Sequence, residues 1–262
     1  MIEHEFPLIA RLTLCALGAV EGGRIRRPLD PVAAWFLRNR PALLPEEASL
    51  AALTTVRART TLVDRLLESE LARARKRGDS LCLWGIGGAF DGRWSRMAEA
   101  MRDVVVEIRE VEDPLILEFK DRVLEKSPFA EAWHQVQTRP KSIEGWTVRP
   151  RSGARPLVVM EGLAGRMSPS ALRRLLQRIL YEVPAARVIL GLPGRPRQDG
   201  DQWTSFRIRS LGFAVEEDTN LGPRGRLLTP DGAEMCPGMY PLRVLLLTGR
   251  EPGTPPPGPV RR

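Results

Sequence analysis

"SLCLWGIGGAFDGRWSRM", from Ser80 to Met97, decides how this chain folds. The apolar run Leu81 to Trp84 leads into Gly85, Gly87 and Gly88, and then come Asp91, Arg93 and Arg96. A short apolar run closed by glycines reads as a buried strand entering a tight turn. The glycines fit a plain turn, a nicotinamide-dinucleotide loop, or a loop that lets another nucleotide-like cofactor approach the backbone. The nicotinamide fingerprint G-x-G-x-x-G needs glycine at position 90, where this chain has Phe90, and that argues against the second choice. The stretch alone does not separate the other two.

Outward from it, strands and helices alternate. "VVVEI" (104–108), "RPLVVMEGL" (155–163), "ARVILGLP" (186–193) and "YPLRVLLLTG" (240–249) read as strands. "GRWSRMAEAMRD" (92–103), "PLILEFKDRVLEKS" (114–127) and "SPSALRRLLQRILYEV" (168–183) read as helices, the last capped by Ser168 before Pro169. "AWHQVQT" (132–138) reads as a short strand, and "TSFRIRSLGFAVEEDT" (204–219) as helix, Gly212 and strand. Such alternation predicts a mostly parallel sheet covered on both faces, with its ligand crevice at the carboxyl ends of the strands.

Upstream, "TTLVDRLLESELARARKRGD" (60–79) repeats Leu62, Val63, Leu66, Leu67 and Leu71 at helical spacing. Its basic end, Arg73 to Arg77, suits the negative pole of a helix, and Gly78 suits the position just past its end. The first fifty residues read as helices broken by Pro28, Pro31, Pro41 and Pro45, with Asp30 capping "DPVAAWFLRN" (30–39). Three regions follow: a helical cap over 1–56, a cofactor-binding α/β domain over 57–250, and a Pro-rich tail over 251–262 without regular structure.

Composition excludes several classes. The 262 residues are 43% hydrophobic and 27% charged, ordinary for a globular chain. There is no uncharged apolar stretch of about 18 residues, so no transmembrane helix is expected. Glu3, Glu5 and Arg11 spoil a signal peptide, so a cytoplasmic location is expected. Cys15, Cys82 and Cys236 form no CxxC pair, and His4 and His134 are the only histidines. Neither a disulfide framework nor a metal site is expected. Only four of the 40 basic residues are lysine, and the net charge is +8. The arginines are spread along the chain, which suits coding bias better than a nucleic-acid footprint.

Acids stand where strands end. Glu107, Glu110, Glu112 and Asp113 come about 22 to 28 residues after Gly85, the distance at which an acid accepts from ribose hydroxyls. Each alone also fits a solvated turn. Glu161 ends the "LVVM" strand and fits either the crevice or the start of a helix.

With these residues in place the chain resembles the leucine carboxyl methyltransferase and polyketide O-methyltransferase group of class I S-adenosylmethionine (SAM) methyltransferases. "RRPLDPVAAWFL" (26–37) resembles its "PL-x-DP-x-A" helix, and "VRARTTLVDRLL" (56–67) its "ARTxxxD" helix, with Arg59, Thr60 and Asp64 in place. "WGIGGAFDGRWSRM" (84–97) resembles "LGAGFDTRxYRL", lengthened by two residues. "EVEDPLILEFK" (110–120) resembles "EVDxPxVIxxK", and "LVVMEGLAGRMSPSALRRLL" (157–176) the segment around "EGL". The five lie in family order.

The resemblance implies a Rossmann-like class I methyltransferase fold with a seven-stranded sheet and SAM as cofactor. It implies that Arg59 pairs with the SAM carboxylate and that Gly85, Gly87 and Gly88 give the methionine part room. Glu112 would hold the ribose, Gln137 the adenine amino group, and Glu161 would lie near the methionine amine. Asp91 and Arg93 would brace the loop. The chain departs from the pattern at Glu112 (for aspartate), Gly92 (for threonine), Gln137 (for aspartate) and Arg166 (for tyrosine).

The function implied is methylation of a carboxylate or hydroxyl on a small molecule or peptide terminus. A carboxylate acceptor is ionised at neutral pH and needs no base; a phenol would call on His134 or Tyr181. No catalytic residue is assigned. The alternative is a drifted, non-catalytic relative that binds SAM or a partner.

Overall fold

A computed structural model describes residues 6, 8–18, 20–21, 24–25, 28–43, 50–139, 153–163, 167–193, 205–221, 227–228, 234–235 and 242–249. The Pro-rich tail, Arg166, His4 and Cys236 lie outside them.

The opening stretch forms strand β1 (Leu81–Ile86). It is followed by β2 (Val105–Val111), β3 (Val136–Arg139), β4 (Arg155–Met160), β5 (Arg187–Pro193), β6 (Phe213–Leu221) and β7 (Leu242–Gly249). These make one seven-stranded sheet in the order β3-β2-β1-β4-β5-β7-β6. The first five are mutually parallel, and β7 runs antiparallel to both β5 and β6. This is the expected Rossmann-like, mostly parallel sheet. The chain leaves β1 toward β2 on one side and returns to β4 on the other. The crevice outside the ends of β1 and β4 is therefore the topological switch point.

Period-2 alternation assigns the faces. Leu81, Leu83, Leu157, Val159, Ile189, Val244 and Leu246 pack under helix α3 (Leu50–Arg77) through its Leu62, Val63, Leu67 and Leu71. Cys82, Trp84, Val158, Val188, Leu245 and Leu247 face α8 (Pro169–Glu182) through Leu172, Leu175, Leu176 and Ile179. Helix α3 ends as expected, with Arg75, Lys76 and Arg77 in its last turn and Gly78 at φ +70°. The helix is continuous across residues 56 and 57, so the cap and the sheet share one element.

In the cap, α1 (Leu8–Gly18) packs on α2 (Pro31–Asn39). Between them Val20–Glu21 pairs with Arg24–Ile25 as a two-residue ribbon, an addition to the expected helices. The cap meets the sheet domain through aromatic rings. Phe90, from the glycine turn, lies 5.5 Å from Phe6 edge-on and 5.3 Å from Phe36. Position 90 is thus an anchor of the cap, worth about 2–3 kcal/mol of burial, and that is why no third fingerprint glycine stands there.

Three readings are corrected. "GRWSRMAEAMRD" is two short helices, α4 (Arg93–Arg96) and α5 (Ala98–Met101), and no side chain caps the first. "AWHQVQT" is the end of α7 (Ala130–His134) followed by β3; Trp133 packs at a tilt against Trp94, with ring centroids 5.4 Å apart, and donates to Asp121 at 2.9 Å, contacts that anchor this turn. Strand β2 runs to Val111, so Glu107 and Glu110 lie within it rather than after it. Helix α6 (Pro114–Leu124) follows, capped by Asp113, and α9 (Ser205–Ser210) precedes β6.

Candidate functional site

The turn after β1 is built from two left-handed residues, Gly87 at φ +73° and Ala89 at φ +49°. Ala89 is gripped on both sides. Its N–H donates to Glu112 Oε2 at 2.6 Å, and its carbonyl accepts from Lys120 Nζ at 3.0 Å. The second oxygen of Glu112 accepts from Asp113 N at 2.8 Å. Lys120 is fully buried, with its charge 2.6 Å from Glu110 Oε2 and 4.9 Å from the Trp133 ring. These contacts fix the shape of the turn at the switch point.

A cleft opens there. Gly85, Gly88, Asp91, Glu112 and Glu161 line it together, with Leu83 and Val159 as its apolar floor. Five of the eight expected residues therefore share one cavity. Gly87 does not line it. A Cβ on Gly87 would lie 2.3 Å from Leu163, so that glycine serves close packing and its positive φ. Gly85 is different, because its backbone is ordinary strand. A Cβ there would meet only the Arg109 carbonyl, at 3.9 Å. Glycine within a strand costs about 0.5–1 kcal/mol, and here it leaves space on the cleft side.

Arg59 stands behind Glu161. Its Nε lies 3.2 Å from Glu161 Oε1. Its Nη2 is buried without a hydrogen-bond partner among the described residues, and that atom lies 3.7 Å from where a Gly162 Cβ would be. A buried guanidinium nitrogen without an acceptor is costly, and a carboxylate is the group that satisfies it best. Glu161 also accepts from Thr60 Oγ1 and, at 2.6 Å, from Arg93 Nη2. Gln137 pairs through its backbone with Arg109 of β2; its side chain lies outside the described residues.

Arg93 and Arg96 form the hub of a buried ion network whose acids, Asp30, Asp64, Asp91 and Glu161, all stand in the motif segments, although the motifs do not say which arginine each one meets. Arg93 reaches Asp64 at 2.8 Å, Asp91 at 2.8 Å and Glu161 at 2.6 Å. Arg96 reaches Asp64 at 2.8 Å, Asp30 at 2.6 Å and also Asp91. Burial works against the charge of Asp91, but Arg93 and Arg96 hold its carboxyl at about 2. Burial pushes Asp30 up, with Arg96 and its backbone donors pulling the other way. Burial also pushes Glu110 up to about 7, against the pull of Lys120 and with Asp91 and Glu112 adding repulsion.

Glu107 belongs elsewhere. It points to the opposite face of β2, where it pairs with Arg109 and accepts from the Cys82 thiol at 3.3 Å. Arg109 in turn stacks 4.4 Å over Trp84. Parity along β2 was the available signal, since Glu110 and Glu112 share a face and Glu107 lies on the other. Trp94 also lines the cleft, with a buried indole Nε1 that lacks a partner among the described residues. His134 is exposed on α7 and Tyr181 is 88% exposed on α8; neither lines the cleft. Among the described residues no cluster of His, Cys, Asp and Glu is placed to hold a metal, and no helix is long and apolar enough to cross a membrane.

No protein family matches the chain by sequence, and neither does any curated protein. Solved structures do match its fold. The protein LepI (C52A form), in complex with SAH and a substrate analogue, is 14% identical over 83% of this chain and 55% of its own, with a TM-score of 0.49. The mitomycin 7-O-methyltransferase MmcR is 15% identical over 83% of this chain and 60% of its own, with a TM-score of 0.42. The N-methyltransferase NodS of Bradyrhizobium japonicum WM9 is 11% identical over 72% of this chain and 97% of its own, with a TM-score of 0.42.

Proposed function

We propose that the protein is a SAM-dependent methyltransferase that acts on an oxygen acceptor, a carboxylate or hydroxyl of a small molecule or peptide terminus. The observation that carries this reading is a pair. Space stands open at Gly85 on the end of β1, and a guanidinium nitrogen of Arg59, which pairs with the lining residue Glu161, lies buried without a hydrogen-bond partner among the described residues. Bound SAM would supply an activated methyl on a sulfonium. Arg59 would pair with its carboxylate, held in place by Glu161. Gly85 and Gly88 would let backbone approach the methionine part, with Gly87 shaping the turn through its positive φ and its packing on Leu163, and Glu161 would lie near the amine. Glu112, whose carboxylate accepts from Ala89 N and Asp113 N, would also accept from the ribose hydroxyls. Gln137 would accept from the adenine amino group. Asp91 and Arg93 keep the loop in shape.

Methyl transfer is an in-line displacement, so alignment and proximity are its main demands. The described cleft lining contains acids, arginine and apolar groups but neither histidine nor tyrosine. That lining favours an acceptor already ionised at neutral pH, such as a carboxylate. Calorimetry with SAM and S-adenosylhomocysteine (SAH), followed by transfer of labelled methyl to a panel of carboxylates and alcohols, tests the reading. Binding and transfer are expected. Binding without transfer to any acceptor would favour the non-catalytic relative, and no binding at millimolar ligand by folded protein would end the cofactor reading.

A further inference from the structure

Asp30 is a fully buried carboxylate whose two oxygens serve different elements. Its Oδ1 accepts from Val32 N at 2.8 Å and Ala33 N at 3.1 Å, which caps helix α2. Its Oδ2 accepts from Gly92 N at 2.7 Å and pairs with Arg96 at 2.6 Å. One side chain thus ties the start of the cap helix to the far end of the glycine loop. Gly92 makes the contact close. A Cβ there would lie 2.6 Å from Val32 Cβ and 2.7 Å from Asp30 Oδ1. The departure from threonine at this position is therefore a fitted feature of the cap–loop seam.

The loop is gripped from two directions. Glu112 and Lys120 hold Ala89 from the side of β2 and α6. Asp30 holds Gly92 from the cap, and Phe90 between them packs on Phe6 and Phe36. Arg96 extends the grip, because it also pairs with Asp91, which lines the cleft. Loss of the Oδ2 contact frees Gly92 and loosens Arg96 and Asp91 together.

From this geometry we infer that Asp30 is a positioning residue for the cofactor: through Gly92 and Arg96 it locks the glycine loop to the cap, so that cap docking and cofactor binding favour each other. The inference rests on the cofactor reading above. Linkage makes the coupling reciprocal, so a ligand that needs the ordered loop also tightens α2.

Two variants separate the duties of Asp30. Asp30→Asn keeps the capping oxygen and turns an amide donor toward the Gly92 and Arg96 donors. Asp30→Ser keeps an N-cap hydroxyl and leaves nothing at Oδ2. Each is compared with wild type by calorimetry with SAH and by amide hydrogen exchange, free and loaded. Ser168→Ala, which uncaps α8 away from the loop, is the control for a cap lost elsewhere. Both Asp30 variants should bind SAH about tenfold more weakly and exchange faster at amides 88–93 without ligand. Ser168→Ala should do neither, and SAH should slow exchange in α2 of the wild type. If Asp30→Ser binds SAH and protects amides 88–93 as wild type does, the inference is overturned. If wild type binds no SAH, the cofactor reading falls, and free-state exchange decides the coupling alone. Faster exchange confined to α2 would then overturn it, and faster exchange shared with 88–93 would uphold it.

Discussion

Glu161 holds Arg59 by a single nitrogen, Nε at 3.2 Å, and leaves Nη2 of the same guanidinium buried and unpaired among the described residues. Glu161 does not depend on that contact, since Arg93 and Thr60 also bind it. Arg59→Ala should therefore leave the fold standing while SAH affinity drops about ten- to a hundredfold, the worth of a charge-assisted hydrogen bond. Arg59→Lys should fall between, because an ammonium cannot fork onto a carboxylate. Calorimetry with SAH is the measurement, and unchanged affinity in Arg59→Ala would remove Arg59 from the site.

Gly85 allows binding and stability to be separated. It sits in β1 with no neighbour tighter than the Arg109 carbonyl at 3.9 Å from an added Cβ. Valine suits a strand. Gly85→Val should therefore keep or slightly raise the urea midpoint, by up to about 1 kcal/mol in stability. Its two methyls should fill the cleft beside Gly88 and Glu161 and weaken SAH binding at least tenfold. If the variant binds SAH normally, the open space at Gly85 is not where the cofactor lies.

The parts of the fold that follow local rules were legible from sequence. Asp30–Pro31 and Ser168–Pro169 start helices, Gly78 stops α3, and apolar runs mark the strands, because capping and period-2 burial are short-range effects. The lining of the cleft was legible where a motif fixes a residue to a strand end, as at Gly85, Glu112 and Glu161. What escaped depends on the third dimension. The Arg96 network joins residues 30, 64, 91 and 96, and nothing local says which acid an arginine will find. Glu107 and Glu110 read together as one acidic turn, although strand parity sends them to opposite faces. Position 92 reads as drift until Val32 and Asp30 are seen against it.

Arg96 compensates three acids at once, Asp30, Asp64 and Asp91, and its own side chain is only 7% exposed. Arg96→Leu should cost about 3–5 kcal/mol at pH 7, the penalty for stranding buried charge. The sign with pH follows from the acids. Without Arg96 the folded-state pKa values of Asp30 and Asp91 rise, so the folded state holds protons that the unfolded state releases. Stability contributed that way is present at low pH and lost as pH rises. The deficit of Arg96→Leu against wild type should thus be smaller at pH 5 than at pH 8 in urea melts. A deficit independent of pH would mean that the acids stay ionised by other means.

Glu110 gives the wild type its own pH signature. Burial first, then repulsion from Asp91 and Glu112, raises its carboxyl to about 7 in spite of Lys120. In the unfolded chain a glutamate titrates near ~4.3. Between those values the folded state binds more protons than the unfolded one, so stability falls as pH rises through that window and levels off above it. The full span is at most about 4 kcal/mol, because a tenfold difference in proton affinity between the two states is worth about 1.4 kcal/mol. Glu110→Gln keeps an acceptor for Lys120 Nζ and cannot ionise, so it should abolish this part of the decline. Unfolding by urea at pH 5, 6, 7 and 8 should show the variant gaining on wild type as pH rises, most steeply between pH 5 and 6 and least between pH 7 and 8. Parallel curves would mean that Lys120 keeps Glu110 ionised throughout and that the carboxylate is a fixed charge beside the Ala89 carbonyl.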